Sequence, residues 1–140
     1  MTLLIPEKTK FKKYQKRKIR GFEKRGSSTS GLHYGNIGLQ ALESGLITPQ
    51  QIESVRRVIV RANRKSGKIW IRIFPDWVVT RKTKGLRMGR GKGAFKNYIF
   101  RARAGRLLIE FQGRSLFKAM LSLRVAATKL PVKTRVIYKN

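Results

Sequence analysis

ITPQQIESVRRVIVRANRKSGKIWIRIFPD, residues 47 to 76, contains the clearest helix signal of the sequence, followed directly by a strand pattern. Thr48 is a good N-cap, Pro49 suits the first helical position, and Gln51 completes a capping box with Thr48. Gly67 is placed to stop the helix that begins there. The apolar residues between these signals follow helical spacing and form the predicted core face: Ile52, Val55, Val58, Ile59 and Ala62.

The second half of this stretch alternates as a strand over residues 68–74. Ile69, Ile71 and Ile73 fall on one face, and Trp70, Arg72 and Phe74 fall on the other. Pro75-Asp76 predicts a turn, and residues 77–80 predict a short second strand.

Working outward, the flanking segments predict further elements. Residues 31–40 predict an irregular Gly-rich strand, and residues 132–138 predict a last strand. Two strands at 97–103 and 106–112 flank Ala104-Gly105, which predicts a tight hairpin. Residues 115–129 predict a second helix whose core face holds Leu116, Ala119, Met120, Leu123 and Ala127.

The net charge of the chain limits the kinds of partner that it can have. The chain has 34 Lys and Arg against 6 Asp and Glu, a formal net charge of +28 on 140 residues. Such a chain normally lies against a polyanion, and nucleic acid or an anionic membrane are the two choices. No run approaches the roughly 20 apolar residues of a membrane span. Because 41% of the residues are hydrophobic, we expect one α/β-type core with basic extensions.

Catalytic, cofactor and metal sites find little support. There is no Cys, and the six acids are scattered, so paired carboxylates and metal-ligand sets are not expected. His33, the single His, has no evident catalytic partner and is interpreted as a structural or RNA-stacking residue. The sequence does not match a P-loop, because Gly93 follows Lys92 where Ser or Thr is required. It does not match the dinucleotide-binding motif either, because Ala94 stands where glycine is required. We therefore predict no enzyme, no metal and no cofactor.

Two basic segments point to nucleic acid. Residues 8–25 hold ten basic residues with interleaved aromatics, so this arm is expected to grip phosphate and stack on unpaired bases. Residues 81–95, RKTKGLRMGRGKGAF, form a predicted long, basic, Gly-rich loop, and no acid occurs from residue 77 to 109. The predicted helix adds an arginine face with Arg57, Arg61 and Arg64. Chemistry alone leaves RNA and DNA open.

Five blocks, in order, resemble one family. They are KTKFKK at 8–13, ITPQQIESVRR at 47–57, GKIWIRIFPD at 67–76, RMGRGKG at 87–93 and KLPVKT at 129–134. They cover nearly the whole chain and are similar to those of the bacterial-type L16 (uL16) family of large-subunit ribosomal proteins.

The resemblance implies an α+β single domain with a largely antiparallel sheet and two helices. It implies an arm at residues 1–26 and a core at 27–140 that carries the loop 81–95. It also implies binding to large-subunit rRNA, with a loop near the A site and the peptidyl transferase region that supports tRNA positioning. Expected partners are rRNA, tRNA and neighbouring ribosomal proteins, with no homo-oligomer.

The residues expected to contact rRNA are basic residues of the arm, the helix and the strand: Lys8, Lys10, Lys12, Lys13, Lys16, Arg17, Lys18, Arg20, Arg56, Arg57, Arg61, Arg64 and Arg72. The loop expected near tRNA comprises Arg87, Met88, Gly89, Arg90, Gly91, Lys92 and Gly93.

The chain departs from the family pattern at residues 27–35, 77–82 and 96–98. This divergence favours an organellar protein, in a mitochondrion rather than a plastid or a bacterium. A free RNA or DNA chaperone is the rival hypothesis, and an RNA-modifying enzyme is a weaker third.

Overall fold

The computed structural model describes residues 4–14, 31–64, 66–89 and 91–139. Nine elements follow one another within these residues: β1 (Ile37–Ala41), β2 (Gly45–Ile47), α1 (Pro49–Ala62), β3 (Lys68–Ile71), β4 (Trp77–Arg81), β5 (Ala94–Ala102), β6 (Leu107–Gln112), α2 (Leu116–Ala127) and β7 (Thr134–Tyr138). The fold is a single α+β domain with two helices and antiparallel sheets, which confirms the predicted fold class.

The strands form two sheets. One has the order β3-β6-β1-β7 and the other the order β2-β5-β4, and every ladder in the described part of the chain is antiparallel. All five residues of β1 are buried, which suits a strand with a partner on each side and a helix layer over one face. The Gly-rich segment predicted as irregular therefore supplies a central strand.

Helix α1 begins as its capping signals predict. The Thr48 side chain accepts a hydrogen bond from the Gln51 N–H, and the Gln51 side chain accepts one from the Thr48 N–H. Its end differs from the prediction, because the helix stops at Ala62 and Asn63 caps it, well before Gly67. Asn63 also donates to the Ser122 hydroxyl at 3.0 Å, which ties α1 to α2.

The core lies between the helices and the four-stranded sheet. Helix α2 packs on β1 and β7, and α1 packs against α2 and β5. Side chains from both helices and the central strands are fully buried there, including Ile37, Leu39, Ile52, Val55, Ile59, Leu108, Phe111 and Leu123. Full burial of each large aliphatic side chain contributes about 1.5–3 kcal/mol of transfer free energy.

The predicted hairpin was also wrong, and two residues placed on the helix core faces, Ala62 and Leu116, are exposed. Ala104-Gly105 does turn the chain, but the strands on either side do not pair, since β5 joins β4 and β2 whereas β6 joins β1 and β3 in the described part of the chain. The Gly105 N–H donates to the Ala41 carbonyl at 2.7 Å, so the turn carries the chain from one sheet to the other. Leu116, placed on the core face of α2, is instead 55% exposed.

Candidate nucleic-acid interface

Strands β4 and β5 form a hairpin that carries the basic loop. Their pairing runs from Trp77 opposite Ile99 to Arg81 opposite Ala94. Arg81, Ala94 and Phe95, which the sequence assigned to the loop, therefore lie in the strands. The connection spans residues 82–93, and the described residues from 83 to 92 are all exposed.

Glycines at the base and tip of this loop have different tasks. A Cβ at Gly93 would lie 2.5 Å from the Arg81 carbonyl carbon, so only glycine allows the two strands to approach where the hairpin opens. Gly89 has a φ of +101° with open space around it, so its need for glycine is conformational rather than steric. The loop is closed tightly at its base and is open at its tip.

The predicted loop residues lie together at this tip. Arg87, Met88, Gly89, Gly91 and Lys92 are exposed, and Met88 is 91% exposed. Gly93 is half-buried at the base, and Arg90 lies outside the described residues.

The first part of the arm contacts the hairpin strands. The Thr9 hydroxyl lies 3.0 Å from the Tyr98 hydroxyl, and the Tyr14 ring stacks on Trp77 with 5.3 Å between centroids. The Arg101 guanidinium lies 3.6 Å from the centroid of the same indole. Trp77 is thus a packing residue, and it joins the arm to the end of the β4–β5 ladder that lies away from the loop.

The arm's basic residues are described only in part. The exposed ones are Lys8, Lys10, Lys12 and Lys13. The remaining predicted positions lie outside the described residues: Lys16, Arg17, Lys18 and Arg20. The proposed boundary between arm and core at residue 26 falls in the same part of the chain and stays a prediction.

The arginine face of α1 is divided by Glu53. Arg56 donates two hydrogen bonds of 2.8 Å to the Glu53 carboxylate, and Arg57 donates one of 3.0 Å. The Arg56 hydrogen bonds hold the pKa of Glu53 at about 2, well below its usual value. Arg61, one turn further on, is exposed, whereas Arg64, predicted on the same face, lies beyond the Asn63 cap with a φ of +48° and is also exposed. The end of the helix is therefore its more electropositive part.

Arg72, the remaining predicted contact, belongs to a network that sequence reasoning missed. Its Nη1 donates to Glu110 Oε1 at 2.8 Å, and Glu110 is fully buried. Oε2 of the same carboxylate accepts the backbone N–H groups of His33, Tyr34 and Gly35 at 3.0, 2.7 and 2.9 Å. One buried carboxylate thus holds the segment before β1 to the four-stranded sheet.

Electrostatics agree with this geometry. Burial raises the pKa of Glu110, but the hydrogen bonds from Gly35, Tyr34 and His33 and the Arg72 charge outweigh burial and leave that pKa below its usual value. Glu110 is the one acid within the otherwise apolar run 107–111, LLIEF. An acid in a buried strand was the signal that could have identified this network.

Other kinds of site find no support in the described ranges. No group of three or more His, Cys, Asp and Glu residues there could hold a metal ion, and no helix is long and apolar enough to cross a membrane. The His33 ring lies at 6.4 Å and 54° from that of Tyr34, in an exposed position. This agrees with the structural or stacking interpretation.

Comparison with known proteins decides the family. The family model described as ribosomal protein L16p/L10e matches residues 6–137. The chain belongs to the ribosomal protein L16p/L10e family. The large ribosomal subunit protein uL16c of Cyanidium caldarium is 44% identical over 135 residues, which covers 96% of this chain and 94% of that protein.

Two further L16 relatives match over nearly their full lengths. The large ribosomal subunit protein uL16 of Porphyromonas gingivalis is 40% identical over 99% of this chain and 94% of that protein. The uL16c protein of Euglena longa is 41% identical over 99% of this chain and 100% of that protein. This L16 chain is a structural ribosomal protein and not an enzyme.

Proposed function

We propose that this L16 protein resides in the large ribosomal subunit, binds its rRNA through the arm and the end of α1, and uses the β4–β5 loop to support tRNA positioning near the A site and the peptidyl transferase region. The observation that carries the proposal is the hairpin itself. It extends an exposed loop with Arg87 and Lys92 from a stretch, residues 77–109, that contains no acid.

Each part of this surface suits a different task. The glycines at the loop tip leave the backbone accessible to close approach, and the cations supply phosphate contacts. The base of the loop is fixed by the β4–β5 ladder, and the Tyr14–Trp77 stack holds the arm at the opposite end of that ladder. Because its base is fixed, the loop can hold its cationic tip at a constant distance from a core that is bound to rRNA.

The site of residence is proposed to be a mitochondrion. Support comes only from the departures at residues 27–35, 77–82 and 96–98, and the relatives above are of plastid and bacterial type, so a plastid is the alternative. Fractionation of the source cells, with the chain followed by immunoblotting, separates the two compartments. Enrichment with plastid ribosomes would replace the mitochondrial assignment.

Sedimentation tests residence in the subunit. An organelle lysate is resolved on a gradient at moderate salt, and the large-subunit fractions are washed with higher salt. We expect about one copy per large subunit, retained through the wash. A chain found mainly at the top of the gradient, while subunits stay intact, would favour a free nucleic-acid chaperone.

A charge-matched pair of variants tests the loop. Arg87→Ala with Lys92→Ala removes two loop cations, and Lys118→Ala with Lys129→Ala removes two exposed cations at α2. The loop variant should enter subunits normally but slow tRNA accommodation, whereas the α2 variant should enter subunits normally and leave tRNA accommodation unchanged. If the loop variant fails to enter subunits, the loop serves assembly instead of tRNA positioning.

A further inference from the structure

An exposed aromatic cluster lies at β3, away from the loop. Tyr34 stacks on Trp70 with 5.9 Å between ring centroids and 20° between planes, and the Arg72 guanidinium lies 4.9 Å from the Tyr34 centroid. Tyr34, Trp70 and Phe74 line one open groove together with Arg72 and Arg106. Tyr34 is 58% exposed and Phe74 is 46% exposed. Large aromatic surface is thus left in water beside two arginines.

The Glu110 carboxylate fixes this cluster from beneath. It holds the backbone on both sides of Tyr34 through three N–H groups and holds Arg72 through its other oxygen. Breaking any of these contacts would leave buried polar groups without partners, which is costly. An exposed ring on so constrained a backbone loses little conformational freedom when a ligand packs on it.

We propose that this cluster is a stacking site for an unpaired RNA base. The proposal rests on the RNA-binding function above. Every base presents a π-face to an aromatic ring, whereas a base inside a duplex has both faces covered by its neighbours. Arg72 is partly exposed and Arg106 is exposed, so both can reach the phosphates that flank the base. None of the described residues that line the groove is acidic, so none of them repels the phosphate backbone.

A stacking site and a phosphate site respond differently to salt. Phosphate contacts release counterions, so losing one flattens the dependence of log Kobs on log salt. Losing a stacked base lowers the affinity by a similar factor at every salt concentration and leaves that slope unchanged. The two kinds of contact can therefore be separated in one titration series.

The probe is a single-stranded RNA oligonucleotide of mixed pyrimidines with one internal 2-aminopurine, and the protein is the full chain. Tyr34→Leu keeps apolar bulk and removes the ring, and Tyr34→Phe keeps the ring. Phe117→Leu is the matched control, because Phe117 is an aromatic that is 70% exposed on α2. Urea unfolding of each variant verifies that the fold is retained.

We expect Tyr34→Leu to weaken binding roughly 5-fold or more, the lower end of what one stacked base contributes. The salt slope should stay at the wild-type value, and quenching of 2-aminopurine by the protein should be lost. Tyr34→Phe should restore both affinity and quenching to within about twofold. Phe117→Leu should match the wild type in all three measurements.

Three results would overturn the stacking site. The first is an unchanged affinity and quenching in Tyr34→Leu. The second is a flattened slope, which would make Tyr34 part of a phosphate contact. The third is normal RNA affinity with poorer retention of Tyr34→Leu in subunits, which would assign the groove to a neighbouring protein. Failure of the proposed function looks different, because the wild type itself would then show no salt-dependent RNA binding.

Discussion

The four-stranded sheet and the β4–β5 loop differ most in how far their side chains are buried. In the sheet, every residue of β1 is buried, and the buried Glu110 satisfies four donors with its two oxygens. In the loop, the described residues from 83 to 92 are exposed, and they include three cations and three glycines: Lys84, Gly85, Arg87, Gly89, Gly91 and Lys92. The sheet excludes water and the loop is surrounded by it.

Substitutions in the two regions should therefore have different effects. A side chain in the sheet is tied to several partners, so its loss changes the free energy of unfolding. A loop cation has water as its partner in the free protein, so its loss changes binding and leaves the fold intact. The Glu110 network is the exception that joins the two roles, because it stabilises the sheet and also places the exposed Tyr34 ring.

The largest expected effect is that of Glu110→Ala. It leaves Arg72 without its buried partner and three backbone N–H groups without an acceptor, so we expect a loss of about 3–5 kcal/mol in the free energy of unfolding. Urea unfolding followed by circular dichroism measures it.

Glu43→Ala is the matched control for Glu110. Glu43 also accepts a backbone hydrogen bond, from the Lys133 N–H at 2.8 Å, but it is exposed. Its loss should cost about 0.5–1.5 kcal/mol. If the two variants lose the same free energy of unfolding, the burial of Glu110 adds nothing to the stability that its hydrogen bonds provide.

Next in size is Thr48→Ala at the start of α1. The substitution removes one half of the capping box and should lower the free energy of unfolding by about 1 kcal/mol. Thr128→Ala offers a comparison, because the Thr128 hydroxyl donates to the Val125 carbonyl at an exposed helix end. If Thr48→Ala costs no more than Thr128→Ala, the capping box contributes nothing beyond one surface hydrogen bond.

A smaller effect should depend on pH. The Glu53 pKa of about 2 lies below its usual 4.5, so ionised Glu53 stabilises the fold above pH 4.5, and this contribution disappears as the pH falls from 4.5 to about 2. Urea unfolding across this range should therefore show a weaker pH dependence in Glu53→Gln than in the wild type. Identical pH profiles would show that the Arg56 contact does not survive in solution.

Local signals predicted one part of the fold well. The start of α1 depends on residues 48–51 alone, and the capping box, the N1 proline and the core-facing Ile52, Val55 and Ile59 were all predicted correctly. The end of α1 was not, because Asn63 caps the helix through its own side chain and is also bound by Ser122, which is far along the chain.

Pairing between strands was beyond local signals. Ala104-Gly105 has the composition of a hairpin turn, yet the partners of β6 are β1 and β3, distant in sequence. The exposure of Leu116 has a similar origin, since only the packing of α2 on β1 and β7 determines which of its residues face the core. The loop was recognisable because charge and glycine content need no tertiary partner.

The Arg72–Glu110–Tyr34 cluster shows the same limit in the candidate interface. Arg72 was predicted as an rRNA contact from its place on a strand face, but its carboxylate partner lies 38 residues away and its aromatic neighbour lies on the other side in sequence. The spacing of residues along the sequence does not show which of them are in contact in the fold. The residues at the interface were recognisable by type, and the contacts that orient them required the fold.

The smallest expected change in stability belongs to Arg87→Ala with Lys92→Ala. Both side chains are exposed, so the free energy of unfolding should stay within about 0.5 kcal/mol of the wild type. RNA binding should nevertheless lose about one unit of salt slope for each phosphate contact removed. The measurement pairs urea unfolding with filter binding over a salt series. A stability loss comparable to that of Thr48→Ala would show that the loop packs on the core in solution, and the contrast between sheet and loop would fail.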